Sequence, residues 1–119
     1  MADGIERRKY ARLEVRWPIS IISDQGMIEG ESRNITPEGV FVHCRERLYE
    51  NRTYQLIIKL PKHQPIVVKG KLVWSNLDEV EEDSVLGGMG FAFVKISQED
   101  SKYLKKVISV YGKRGALQE

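Results

Sequence analysis

Cysteine is nearly absent. Cys44 is the only one in 119 residues, which rules out an intrachain disulfide and removes the usual mark of an oxidising compartment. Histidine is almost as scarce: His43 and His63 alone are too few ligands for a zinc site. His43 and Cys44 are neighbours on a β-rich run, so their side chains leave opposite faces and form no nucleophile and base pair. The N-terminal hexapeptide lacks the apolar centre of a signal peptide, and no apolar run reaches the length of a membrane span. The expected location is therefore the cytoplasm, without membrane insertion. Excess charge of one sign is also missing. With 19 Lys and Arg against 17 Asp and Glu, the chain is too balanced to coat nucleic acid. No two-carboxylate constellation stands out, so an enzyme is not expected.

What is present is enough for one core. A chain of this length, 41% hydrophobic, holds a single domain. Residues 13–21 alternate strictly, with Leu13, Val15, Trp17, Ile19 and Ile21 on one side, which predicts a half-buried strand. Pro18 in that run implies a sheet edge or a local irregularity. A turn at Asp24-Gln25-Gly26 leads into a more polar strand over 27–34. Further strands are expected over 39–43, 53–60, 66–74 and 88–94. In the 66–74 run, Ile66, Val68, Gly70, Leu72 and Trp74 share one face. Residues 78–83 form an acidic loop, expected to be solvated. After Ser97, a capping residue with Asp100 three positions on, Leu104, Val107, Ile108 and Tyr111 mark one face of a helix ending at Gly112. Strands followed by one amphipathic helix suit a small antiparallel barrel covered by that helix.

Two segments carry the informative chemistry. Arg8 and Arg12 lie four residues apart, with Arg7 just before, on a short, charged stretch without an apolar face. This stretch, residues 1–12, is expected to be mobile. Asn34-Ile35-Thr36-Pro37-Glu38-Gly39 sets a carboxamide and a hydroxyl two residues apart, then turns on Pro and Gly. A guanidinium is a planar fork that matches phosphate oxygens, or O6 and N7 of guanine, and can stack on the base. Together the groups suit a guanine nucleotide with several anionic oxygens. Gly87-Gly88-x-Gly90 runs into a strand and not a helix N-terminus, so it is no phosphate loop.

The same residues resemble the PilZ domain family. Its Arg-x-x-x-Arg motif is matched by Arg8 and Arg12 preceded by Arg7, and its Asp/Asn-x-Ser-x-x-Gly motif by Asn34, Thr36 and Gly39, with Thr in the Ser position. Gly70-x-Leu72-x-Trp74 and Gly88-x-Gly90-x-x-Phe93 are similar to two further family motifs, in the family order. The resemblance implies a six-stranded antiparallel β-barrel with a C-terminal helix, the barrel and helix spanning 13–114 and the helix about 97–112. It also implies binding of cyclic di-GMP, with Arg8 and Arg12 on phosphate and guanine, Asn34 and Thr36 on a guanine edge, and Gly39 shaping the turn. Trp74 is either a neighbour of a base or a core or rim residue. Arg7 is the position that, in the family, accompanies an intercalated ligand dimer. A protein of the motility, pilus, polysaccharide or transcription machinery would receive the signal. A barrel that has lost its ligand and binds only protein, or one whose basic arm touches RNA or DNA, are the alternatives.

Overall fold

The computed structural model describes residues 13–44, 48–75 and 87–118. Arg7, Arg8, Arg12 and the acidic stretch 78–83 lie outside them. Six strands follow in order: β1 (Pro18–Ser23), β2 (Gly26–Thr36), β3 (Gly39–Cys44), β4 (Thr53–Ile58), β5 (Ile66–Ser75) and β6 (Gly87–Lys95). The helix α1 (Gln98–Gln118) comes last. The strands close into a barrel in the order β1-β2-β3-β6-β5-β4, every pair antiparallel. Closure removes both sheet edges and leaves one filled interior.

Alternation explains which residues fill it. Val40, Val42 and Cys44 of β3, Tyr54, Leu56 and Ile58 of β4, and Ile66, Val68 and Leu72 of β5 are buried, while their neighbours face out. Burying such side chains is worth about 2 kcal/mol each. Trp17, buried just before β1, is the tryptophan of the core.

The alternating run 13–21 is a strand only in its second half. Leu13 forms an isolated antiparallel bridge with Ile35, residues 14–17 leave the ladder, and β1 begins at Pro18. The expected edge does not exist in a closed barrel. Pro18 instead takes the first position of its strand, where a missing N–H does not interrupt the ladder, and its carbonyl accepts from Lys59 N at 3.0 Å. Ser32, fully buried, replaces the lost ladder bonds. Its hydroxyl accepts from Trp17 N at 2.9 Å and donates to the Val15 carbonyl, while its own N–H donates to the Trp17 carbonyl. Side-chain burial therefore keeps its period through 14–17 although the backbone pairing does not. Ser32→Ala is expected to cost about 2 kcal/mol in urea unfolding, because it strands the buried Trp17 N–H.

The helix begins as expected. Ser97 Oγ accepts from Asp100 N at 3.0 Å, and Glu99 and Asp100 lie in the first turn, where carboxylates complement the helix dipole. It does not stop at Gly112 but continues to Gln118. Leu104, Val107 and Ile108 are buried in the core. Tyr111 meets Trp17 edge to face at 6.1 Å, and Tyr103 stacks on His63 at 3.7 Å. Trp17 precedes β1 and His63 follows β4, so α1 covers the barrel end at which β1 starts and β4 finishes. No helix among the described residues is long and apolar enough to cross a membrane.

Candidate functional site

The turn between β2 and β3 is the best defined of the sequence-predicted features. Thr36 pairs with Gly39 and Asn34 with Phe41. Because Ile35 and Val40 are buried, alternation directs Asn34, Thr36, Phe41 and His43 to the outer surface. Thr36 Oγ1 accepts from Glu38 N at 3.1 Å and donates weakly to the Gly39 carbonyl at 3.5 Å. The hydroxyl therefore locks the turn while the half-buried side chain still borders the surface. The Glu38 carbonyl accepts from Phe93 N at 2.8 Å, which ties the turn to β6.

Leu13 and Ile35 exchange both backbone bonds, N to O at 2.9 Å and 2.8 Å. Ile35 lies between Asn34 and Thr36, and Arg12 is the residue bonded to Leu13. The chain leaving the arginine motif is thus fastened to the middle of the second motif. Arg7, Arg8 and Arg12 themselves lie outside the described residues.

Trp74 departs from its expected face. The β5–β6 register shifts between Leu72 and Trp74, so Leu72 stays fully buried while Trp74 is 47% exposed. Its ring lies 5.4 Å from Phe41, which in turn meets His43 edge to face at 5.7 Å. Trp74, Phe41 and His43 make an aromatic row on the outer face of β5, β6 and β3. Gly88 makes room for it: a Cβ there would fall 2.3 Å from the Phe41 ring. The glycine cluster serves ring packing, as its passage into a strand suggests.

Three charged residues that the motifs do not include also gather here. A cavity of about 390 Å³ is lined by Glu14, Val15, Arg16, Arg33 and Asn34. It opens where residues 14–17 leave the ladder, opposite the register shift of β2 between Ser32 and Asn34. The Arg33 guanidinium lies 3.1 Å from His43 Nδ1. The same guanidinium nitrogen is 3.5 Å from His43 Nε2, so the guanidinium lies over the imidazole ring. A bulge carries no signature in residue type, which is why Arg33 is not singled out by sequence. A second cavity, about 250 Å³ and lined by residues including Asp24, Tyr49 and Arg52, contains none of the motif residues.

Burial, then the Arg33 guanidinium, lowers the His43 pKa from its ordinary value; Arg16 adds to this and Glu31 opposes it. The unfolded chain therefore takes up this proton first as pH falls. Stability should decline as pH drops from about 6.5 towards the lowered folded value, and stay flat above that window. Thermal melting between about pH 5 and 8 should show this slope in the wild type and lose that part of it in His43→Gln.

Among the described residues no cluster of His, Cys, Asp or Glu could hold a metal ion. The PilZ domain family model matches residues 6–109. The chain belongs to the PilZ family. No curated protein matches this PilZ domain by sequence. Among solved structures, it is similar to the Bacillus subtilis inhibitor of motility MotI/DgrA, 21% identical with a TM-score of 0.76 over 95% of this chain and 53% of that one. It is also similar to YcgR of Escherichia coli in complex with c-di-GMP, 13% identical with a TM-score of 0.77 over 94% of this chain and 49% of that one. The isolated PilZ domain of YcgR with c-di-GMP gives a TM-score of 0.75 at 12% identity, over 94% of this chain and 96% of that one. At such identities the likeness is one of fold. The chain spans about half the length of MotI/DgrA and of YcgR. The six-stranded closed barrel with a C-terminal helix, expected from the motifs, is the fold observed.

Proposed function

We propose that this PilZ domain is a cytoplasmic receptor for cyclic di-GMP, without catalytic activity of its own, that changes conformation or protein partner when the dinucleotide binds. The observation that supports this reading is the reciprocal pairing of Leu13, the residue after Arg12 in sequence, with Ile35 in the middle of the second motif. Arg8 and Arg12 supply forks for phosphate and guanine, with Arg7 beside them. Asn34 and Thr36 contribute short polar contacts from a turn held by its own bonds, and Gly39 lets that turn sit close against β6. The exposed Trp74 ring offers a stacking surface for a base. That MotI/DgrA, an inhibitor of motility, shares this fold supports an output through motility proteins, and a pilus, polysaccharide or transcription protein fits the same logic. Nucleic acid is not the partner this charge balance favours.

Titration calorimetry of the chain with cyclic di-GMP, GTP and single-stranded RNA tests the reading. Heat with cyclic di-GMP alone is expected. Binding of RNA instead would make the arginines a nucleic-acid arm, and no heat with any of the three would leave a protein-binding barrel.

The switch we assign to residues 1–12, which wrap onto the barrel when the forks engage phosphate. Hydrogen exchange there is expected to slow when cyclic di-GMP is added, and unchanged exchange would remove the switch while leaving the binding.

A further inference from the structure

The barrel wall made by β4, β5 and β6 carries charge of one sign. These strands hold three lysines, Lys69, Lys71 and Lys95, and no Asp or Glu, although the chain has 17 acidic residues. Lys69 stands directly opposite Lys95 in the β5–β6 register, and both are exposed. Like charges paired across strands are destabilising, and no carboxylate of these strands offsets them. Around the lysines the surface is apolar: Val67, Val73 and Val94 are each about half exposed. In the closed order of strands, β5 lies three positions from β2 in either direction. This face is thus across the barrel from Asn34 and Thr36.

The pattern selects the kind of partner. Along β5 the outward residues run Val67, Lys69, Lys71, Val73, two positive charges between two aliphatic side chains, at steps of about 6.7 Å. Every strand of the barrel is paired on both sides, so a partner cannot add as a further strand. An α-helix can lie on the face instead, because its residues four apart rise about 6 Å and share one side, close to the strand step. Nucleic acid fits less well. These strands hold no arginine, and their one exposed aromatic ring, Trp74, packs towards Phe41 of β3, whereas bases stack on aromatic or guanidinium planes. An anionic membrane also fits less well, since lipid-binding patches gather about four to eight basic residues and this wall has three.

We propose that the outer wall of β5 and β6 docks an acidic amphipathic helix of a partner protein. Its carboxylates lie among Lys69, Lys71 and Lys95, and its flanking aliphatic side chains cover Val67, Val73 and Val94. The inference rests on the receptor reading for its purpose, as the surface through which the signal leaves, while the docking itself is tested apart from the dinucleotide. Charge on such a face steers the encounter more than it holds the complex, which suits a contact that is made and released.

The probe is a synthetic helical peptide with two Glu four residues apart and a Leu one turn beyond each, added to the isotope-labelled full chain. Amide shifts are expected over 67–73 and 94–95. Peptide affinity should fall about tenfold in Lys69→Glu and in Lys95→Glu, where attraction becomes repulsion, and about threefold in Val67→Ser. Lys95→Glu sets a carboxylate opposite Lys69, so it should melt no lower than the wild type, which separates lost docking from lost folding. Both Glu variants should bind cyclic di-GMP as tightly as the wild type. Undiminished peptide affinity in both charge variants overturns the assignment, as do shifts centred elsewhere. Equal binding of a peptide with each Leu replaced by Ser overturns it too, because that marks bare ion pairing. So does a response of these amides to phosphatidylserine vesicles or single-stranded RNA where the peptide gives none. A wild type that binds the peptide and not cyclic di-GMP keeps the docking face and removes the receptor reading; the reverse removes the docking face alone.

Discussion

Arg8→Ala and Arg12→Ala are each expected to weaken cyclic di-GMP binding by about 2 to 5 kcal/mol in calorimetric titration, with the melting temperature unchanged. The size follows from the chemistry. A guanidinium on a phosphate or on O6 and N7 makes two parallel charge-assisted bonds, each about twice as strong as a neutral one. Alanine removes both and leaves the anion without a partner in a partly desolvated site. Arg8→Lys and Arg12→Lys, which keep the charge and lose the planar fork, should each recover only part of that loss. Affinity should also fall as salt is raised, because exposed charges are screened beyond about 10 Å at 0.1 M salt. Equal affinities for the wild type and both alanine variants would take these residues out of the site.

The sequence made the strands and helix face legible where one residue type meets one environment. The buried positions of β3, β4 and β5 follow apolar alternation, and Leu104, Val107 and Ile108 follow the helical period, because in each case a single rule decides the side. It was less informative where backbone geometry changes without a change in residue type. Trp74 continues the apolar parity of Ile66, Val68 and Leu72, yet the register shift after Leu72 carries it to the surface. A tryptophan is as plausible on a binding face as in a core. Leu13, Val15 and Trp17 look like a strand because their side chains are buried at strand spacing, whereas their backbone bonds go partly to the Ser32 hydroxyl. Gly112 reads as a helix stop, although a single glycine inside a helix costs only about 1 kcal/mol, and the helix runs on. The motif positions Asn34 and Thr36 were legible as a polar turn. Glu14, Arg16 and Arg33 were not, since surface charges on strands are ordinary and only the pairing of Leu13 with Ile35 brings them to one cavity.

Gly39→Ala is expected to destabilise the fold by about 3 kcal/mol in urea unfolding, near the upper end of ordinary overpacking. An added Cβ would lie 2.4 Å from the Phe91 carbonyl oxygen. That obstacle is backbone, held in the β3–β6 ladder by the pairing of Gly39 with Ala92 and Val40 with Phe91, so a rotamer change cannot relieve it and a strand must shift. Gly88→Ala makes a useful contrast, since its nearest obstacle is the ring of Phe41, a side chain that can turn, and a smaller loss is expected. Gly26 adds a third case: it has φ of +119° and no atom within 4 Å of an added Cβ, so Gly26→Ala should cost only backbone strain of about 1 kcal/mol. The order Gly39, then Gly88 and Gly26, is therefore a prediction about mechanism as well as magnitude. A strand shift at Gly39 also moves Thr36, its pairing partner, and with it the turn bearing Asn34, so the folded fraction of Gly39→Ala should bind cyclic di-GMP more weakly. If Gly39→Ala proves as stable as the wild type and loses binding alone, the glycine is there to admit the ligand and not β6, and the close approach of Phe91 is incidental.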